Sequence, residues 1–127
     1  DAQRAELANE VAADLFVSIH CDSATAESAC GIASFHFGSP GRGWSHSGER
    51  AAQRIHTAVL EHAAAEDCHI HARTWDVLRL TRMPAVRVDV GYLSNPAEAA
   101  RLAESDYQTN LAAGIAAGIV KFFEPVT

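Results

Sequence analysis

Two apolar runs constrain the fold of this 127-residue chain more than any other feature. Leu15-Phe16-Val17-Ser18-Ile19-His20 and Val86-Arg87-Val88-Asp89-Val90-Gly91-Tyr92-Leu93 are short and rich in β-branched and aromatic residues, which suits strands. Around Val17 and Val88 both read as apolar on two faces, the pattern of central strands in a parallel sheet. Such strands need a helical layer on each side. Between them lie segments with the period of helices, so the expected class is α/β: a mostly parallel twisted sheet flanked by helices.

The remaining elements fill in that frame. Leu7 and Val11, one turn apart among alanines, place a helix over about residues 3–13. Residues 31–37 set Ser34 and His36 among Ile32, Ala33, Phe35 and Phe37 and predict a second strand. Gly38-Ser39-Pro40-Gly41-Arg42-Gly43 is a loop. Residues 45–65 predict the longest helix, with Ala52, Ile55, Val59 and His62 or Ala63 on one stripe and Ser45 or Ser47 as its cap. Residues 77–80 are a short strand candidate. Asn95-Pro96-Ala97-Glu98 carries the start signals of a short helix ending near residue 103. Ser105 or Asp106 opens a last helix bearing Leu111, Ile115, Ile119 and Phe122 or Phe123.

Composition narrows the function classes. Apolar residues make up 48% and charged residues 20%, ordinary for a soluble globular domain, and the length fits one core. The formal net charge of −6 leaves no basic surplus to neutralise phosphates, which argues against sequence-blind nucleic-acid binding. No run of about 18 apolar residues occurs, so no transmembrane segment is expected. Asp1-Ala2-Gln3-Arg4 has no signal-peptide pattern and no initiator Met, and the chain is expected to begin inside something longer.

Among seven histidines, His20 stands out by its place. In an α/β sheet, ligands collect beyond the carboxyl ends of strands, and an imidazole there can bind a metal or move a proton. His36, His46, His56 and His62 read as structural or solvated. His69 and His71 can share a metal only if both point the same way. Asp89 is the second outlier, since a carboxylate is rarely buried without a partner. It should be ion-paired, hydrogen-bonded or used as a general base, and Arg79, Arg82 and Arg87 are near in sequence. Cys21, Cys30 and Cys68 are odd in number and lack zinc-finger spacing. They read as isolated buried thiols, with Cys30 and Cys68 the pair to test for a bridge. Trp44 and Trp75 read as packed loop anchors, with stacking on sugar rings as the alternative.

Asp14-Leu15-Phe16-Val17-Ser18-Ile19-His20 and the polar turn after it resemble the ADLFVSIHAN segment of zinc-dependent N-acetylmuramoyl-L-alanine amidases of the Amidase_3 type. Arg4, Ala8 and Asn9 fit the helix before that segment, and residues 31–37 resemble the strand after it. Leu80-Thr81-Arg82-Met83-Pro84-Ala85-Val86-Arg87-Val88-Asp89-Val90-Gly91-Tyr92-Leu93-Ser94-Asn95 resembles the family signature MPAVLVEIGFLSN. The likeness runs from Arg4 to Phe123. It implies that residues 1–127 are the C-terminal portion of an amidase-type catalytic domain, a three-layer sandwich without its N-terminal strand and helix. The implied reaction is hydrolysis of the peptidoglycan amide between N-acetylmuramic acid and L-alanine of the stem peptide.

In that family Zn²⁺ is held by two histidines and a glutamate, and a second glutamate is the base. The metal acidifies its bound water and polarises the carbonyl. By alignment His20 matches one zinc histidine and Asp89 the catalytic glutamate, with the remaining ligands expected upstream of residue 1. Asp89 is one methylene shorter than glutamate, and a misplacement of about 1 Å can cost roughly 10²-fold in rate. The same substitution resembles actinobacterial pseudo-amidases that bind cell-wall fragments or regulate. Implied partners are peptidoglycan or muropeptides and, for a regulator, another protein. The implied location is the bacterial cell envelope or outside it, or the cytoplasm for a regulator. A sheet lacking an upstream strand should expose an apolar edge, and such a fragment is expected to be marginally stable or to associate.

Overall fold

The computed structural model describes residues 1–125. Helix α1 (Ala2–Glu10) leads into strand β1 (Phe16–Asp22). Strand β2 (Ile32–Ser39) turns back through the two-residue β3 (Gly43–Trp44). Helix α2 (His46–His62) starts at Ser45, whose hydroxyl accepts the Gly48 N–H at 2.9 Å. There follow β4 (Asp67–Arg73), the single turn α3 (Asp76–Arg79) and β5 (Ala85–Tyr92). Asn95 caps α4 (Pro96–Leu102) by accepting the Glu98 N–H at 3.0 Å, and α5 (Ser105–Phe123) completes the chain. No described helix is long and apolar enough to cross a membrane.

The α/β layering expected from the sequence is present. The strands run β1-β5-β2, with β3 and β4 both paired to β2. The β1/β5 and β2/β4 ladders are parallel, and an antiparallel β2/β5 ladder joins them. The carboxyl ends of β1 and β5 therefore lie beside the amino ends of β2 and β4.

One sheet face sets Val86, Val88, Val90 and Ile32 against α2 and α5, where Ile55, Val59, Leu111, Ile115 and Phe122 close the main core. The two helices meet backbone to backbone: a Cβ on Gly118 would lie 2.4 Å from Ile55 Cα. The opposite face is packed by Trp75, Val77 and Leu78 over Phe35 and Ala85. Nearer the carboxyl ends of β1 and β5 it carries polar side chains. So β5 is apolar on one face only, contrary to the two-faced reading.

Four further expectations change. Residues 77–80 form a helical turn rather than a strand, because the N–H groups of Leu78 and Arg79 bond back to Trp75 O at 2.9 Å and two adjacent residues, Val77 and Leu78, are both buried. β4 lies in a stretch whose polarity hid it. Helix α5, with 19 residues, is longer than α2, with 17. On α1 the small Ala5 and Ala8 are buried while Leu7 and Val11 are 61% and 65% exposed. Among the described residues β1 pairs with β5 only, and its Ile19 is exposed.

Candidate active site

β1 and β5 pair in register, Ser18 opposite Arg87 and His20 opposite Asp89. Side chains alternate across a strand, so all four project from the same face. The register shifts between His20 and Asp22, which ends regular pairing just past the histidine.

His20 is half-buried, and its Nε2 shares a 2.6 Å hydrogen bond with Ser18 Oγ. Burial, and then the Arg87 guanidinium, hold its pKa below the ordinary value, with Asp89 opposing them. The imidazole is thus neutral at neutral pH, the state that can bind a metal or accept a proton.

Asp89 is buried and paired. Arg87 Nε donates to Oδ1 at 2.7 Å and Nη2 to Oδ2 at 3.4 Å, a fork-like contact. Of the three arginines near in sequence, Arg87 is the partner. Arg79 pairs with Asp76 at 2.8 Å instead, and Arg82 is exposed. The Arg87 guanidinium also lies over the Trp75 ring, 4.8 Å from its centroid, and Trp75 packs on Phe35 at 4.8 Å. Trp75 is the anchor its loop position implied. Arg73, at the end of β4, lies 5.7 Å from the same indole and 5.4 Å from the Phe35 ring. Neither Ser18 nor Arg73 was singled out from sequence. The spacing of two in 18/20 and 87/89 is the signal that points to Ser18 and Arg87, once the strands are known to pair.

The residues present do not fit zinc by themselves. Among those described, no three His, Cys, Asp or Glu side chains come together as a metal site. His20 offers one imidazole, with Nε2 engaged by Ser18, and Asp89 is engaged by a guanidinium. The other histidines do not stand in. His71 Nε2 bonds Cys68 O at 2.7 Å, His69 lies 3.5 Å from Asp67, and His36 is 2% exposed with Nδ1 on Phe37 O. His46 and His62 are exposed. His56 is buried, where it links Ser34 Oγ at 2.9 Å to Asp67 Oδ1 at 2.7 Å. Ser34 has no exposure, so the hydroxyl of this Ser-His-Asp chain is out of reach of substrate and the chain is structural.

The cysteines are not isolated buried thiols. Cys21 is exposed, while Cys30 and Cys68 are half-buried neighbours and free. Cys68 Sγ donates to Cys30 O at 3.2 Å and Cys30 Sγ to Glu66 Oε2 at 3.1 Å. Glu98 is more important than its first-turn position suggested. Its carboxylate is 3% exposed and accepts the N–H groups of Tyr92 at 2.6 Å and Gly31 at 3.1 Å. It thereby ties the end of β5 to the entry of β2. Gly31 has φ +108°, and a Cβ there would meet Cys68 Sγ at 2.6 Å, so only glycine suits the position.

Known proteins resemble this frame closely. The family described as N-acetylmuramoyl-L-alanine amidase matches residues 2–121. N-acetylmuramoyl-L-alanine amidase CwlM of Mycobacterium tuberculosis is 42% identical over 123 residues, covering 97% of this chain and 30% of that protein. The germination-specific N-acetylmuramoyl-L-alanine amidase of Bacillus subtilis is 30% identical, covering 95% of this chain and 49% of that protein. The solved catalytic domain of the amidase CwlV from Bacillus (Paenibacillus) polymyxa superposes with a TM-score of 0.86 at 32% identity, covering 94% of this chain and 63% of that one. The chain thus spans between 30% and 63% of the length of these relatives.

Proposed function

The chain belongs to the N-acetylmuramoyl-L-alanine amidase family, and we propose that it serves peptidoglycan hydrolysis, cutting the amide between the lactyl group of N-acetylmuramic acid and L-alanine of the stem peptide. The observation that carries this is the in-register pair His20 and Asp89 on neighbouring parallel strands. Asp89 is the proposed general base toward the attacking water. His20 is the proposed metal-side residue, with zinc taking its other ligands from outside these 127 residues. The cell envelope is the proposed place of action.

Asp89 keeps some capacity for the task. A carboxylate has about four acceptor positions, and Arg87 takes two of them. Protonating Asp89 would leave Arg87 facing a neutral acid, so the ion pair must loosen as the base works.

The same ion pair favours one second reading, a catalytically impaired amidase fold that binds cell-wall fragments or regulates. Muropeptide cleavage by the full-length protein, followed by mass spectrometry alongside zinc content, separates the two. The hydrolase reading expects cleavage that falls at least about 10²-fold in Asp89→Asn, the scale of a lost general base. It expects loss of bound zinc in His20→Ala. Retained muropeptide binding without cleavage, even in Asp89→Glu, would establish the binding module. Absence of both binding and cleavage would refute both readings.

A further inference from the structure

We propose that Arg73 and Arg87, which both lean on Trp75, form a clamp for a carboxylate of the stem peptide, making Arg73 a specificity-determining residue that shares Trp75 with the Arg87–Asp89 pair. The clamp rests on the muropeptide reading above, in either of its forms. Arg73 enters from β4 and Arg87 from β5, two strands and roughly 10 Å apart. Both converge on one indole, at 5.7 and 4.8 Å from its centroid.

Charge makes the place unusual. In a chain of net charge −6, two guanidiniums meet here on one indole, and of the two only Arg87 is paired with a carboxylate among the described residues, that of Asp89. Among the described residues Arg73 makes no ion pair, and its hydrogen bond goes to the neighbouring Ala72 O at 2.8 Å. The ring of Phe35, 5.4 Å away, supports it as well. A guanidinium stacked on aromatic rings is held in its plane, so less side-chain freedom is lost when it meets an acceptor. Its planar fork matches a carboxylate.

The position relative to Asp89 selects the ligand. Arg87 touches Asp89 directly, and a stem peptide running from Asp89 past Arg87 would bring its next residue to Trp75. An extended residue spans about 3.5 Å, and the residue after L-alanine in the stem is a glutamate, which carries the carboxylate. That group would also compete with Asp89 for Arg87. Ligand binding would then loosen the ion pair that the proposed base must shed.

Isothermal titration of the full-length protein tests this with two probes: MurNAc-L-Ala-D-Glu, and the same compound with both glutamate carboxylates converted to amides. The wild type should bind the acid at least about tenfold more tightly, the scale of one charge-assisted hydrogen bond. Arg73→Gln should bind both probes alike, and Arg73→Lys, which keeps charge without the fork, should keep part of the preference. Arg73 is exposed, so an unchanged melting temperature should accompany each variant. Equal binding of the two probes by the wild type, or an undiminished preference in Arg73→Gln, overturns the clamp and leaves the muropeptide reading standing. Binding of neither probe overturns both.

Discussion

Replacing Arg87 with leucine probes the ion pair at the centre of the candidate site. Arg87 Nε lies 2.7 Å from Asp89 Oδ1, and the two side chains are 21% and 6% exposed. Removing one partner of a buried pair costs about 3–5 kcal/mol, because the other charge stays buried without compensation. An exposed pair is worth about 0–1 kcal/mol. The partial exposure of Arg87 places this pair near the lower end of the buried range, about 3 kcal/mol. Leucine offsets roughly 1 kcal/mol of that by burying apolar surface against Trp75. The expected loss for Arg87→Leu is therefore about 2 kcal/mol. Asp89→Leu should cost less, about 1 kcal/mol, since the arginine left behind can extend into water. Arg87→Leu/Asp89→Leu removes both charges and should fall within about 1 kcal/mol of the wild type. Urea unfolding of the four proteins, followed by circular dichroism at neutral pH, reads these values as shifts in midpoint. With a slope of about 1–3 kcal/mol/M, the arginine variant should shift by roughly 1 M. If that variant unfolds with the wild type, or the double variant shows the sum of the singles, solvent screens the pair and Arg87 does not hold Asp89.

Three further outcomes follow from other contacts. A methyl at Gly118 would fall 2.4 Å from Ile55 Cα and 2.9 Å from Arg54 O, backbone atoms that cannot turn aside. Alanine is favoured by helix propensity by about 1 kcal/mol, but overpacking at about 1–3 kcal/mol should win and lower the Tm of Gly118→Ala; a raised Tm would mean α2 and α5 separate freely. Glu98→Gln should cost about 2 kcal/mol in calorimetry, because charge-assisted bonds to the buried Gly31 N–H and the half-buried Tyr92 N–H weaken, and an unaltered Tm would sink that account. The hydrogen bond from His56, and then the His69 N–H, hold the Asp67 carboxyl below its ordinary range. A depressed folded pKa contributes stability above the unfolded value of about 3.9, and that stability is lost as pH falls through the folded value. Below about pH 4 the wild-type Tm should therefore fall more steeply than that of Asp67→Asn, and parallel profiles would contradict this.

His20 and Asp89 were legible as candidates because each places a polar group where an apolar run gives no reason for one. Their opposition across a ladder was not legible, since nothing local says that β1 lies beside β5. β4 escaped notice because Asp67-Cys68-His69-Ile70-His71-Ala72-Arg73 holds one large aliphatic residue; pairing with β2 makes it a strand. Val77-Leu78-Arg79-Leu80 misled for the opposite reason. Four residues of mostly apolar character suit a strand or a buried helical turn, and the Trp75 carbonyl decides the matter. On α1, periodicity picked the larger residues, whereas close approach selected the alanines. Trp75 and Arg73 could be recognised as neighbours of the site only after the sheet brought β4 within two strands of β5.

The parallel pairing of His20 with Asp89 has an evolutionary consequence. Their separation is a property of the backbone ladder, so it is inherited by every descendant in which those two strands still meet. Position 87, two residues along the same face, can exchange an apolar side chain for a guanidinium and invert the local charge while that frame stays put. Under the two readings proposed above, the step between a site that cuts its ligand and one that holds it is then the size of a codon, and the unit of change is a side chain rather than a loop.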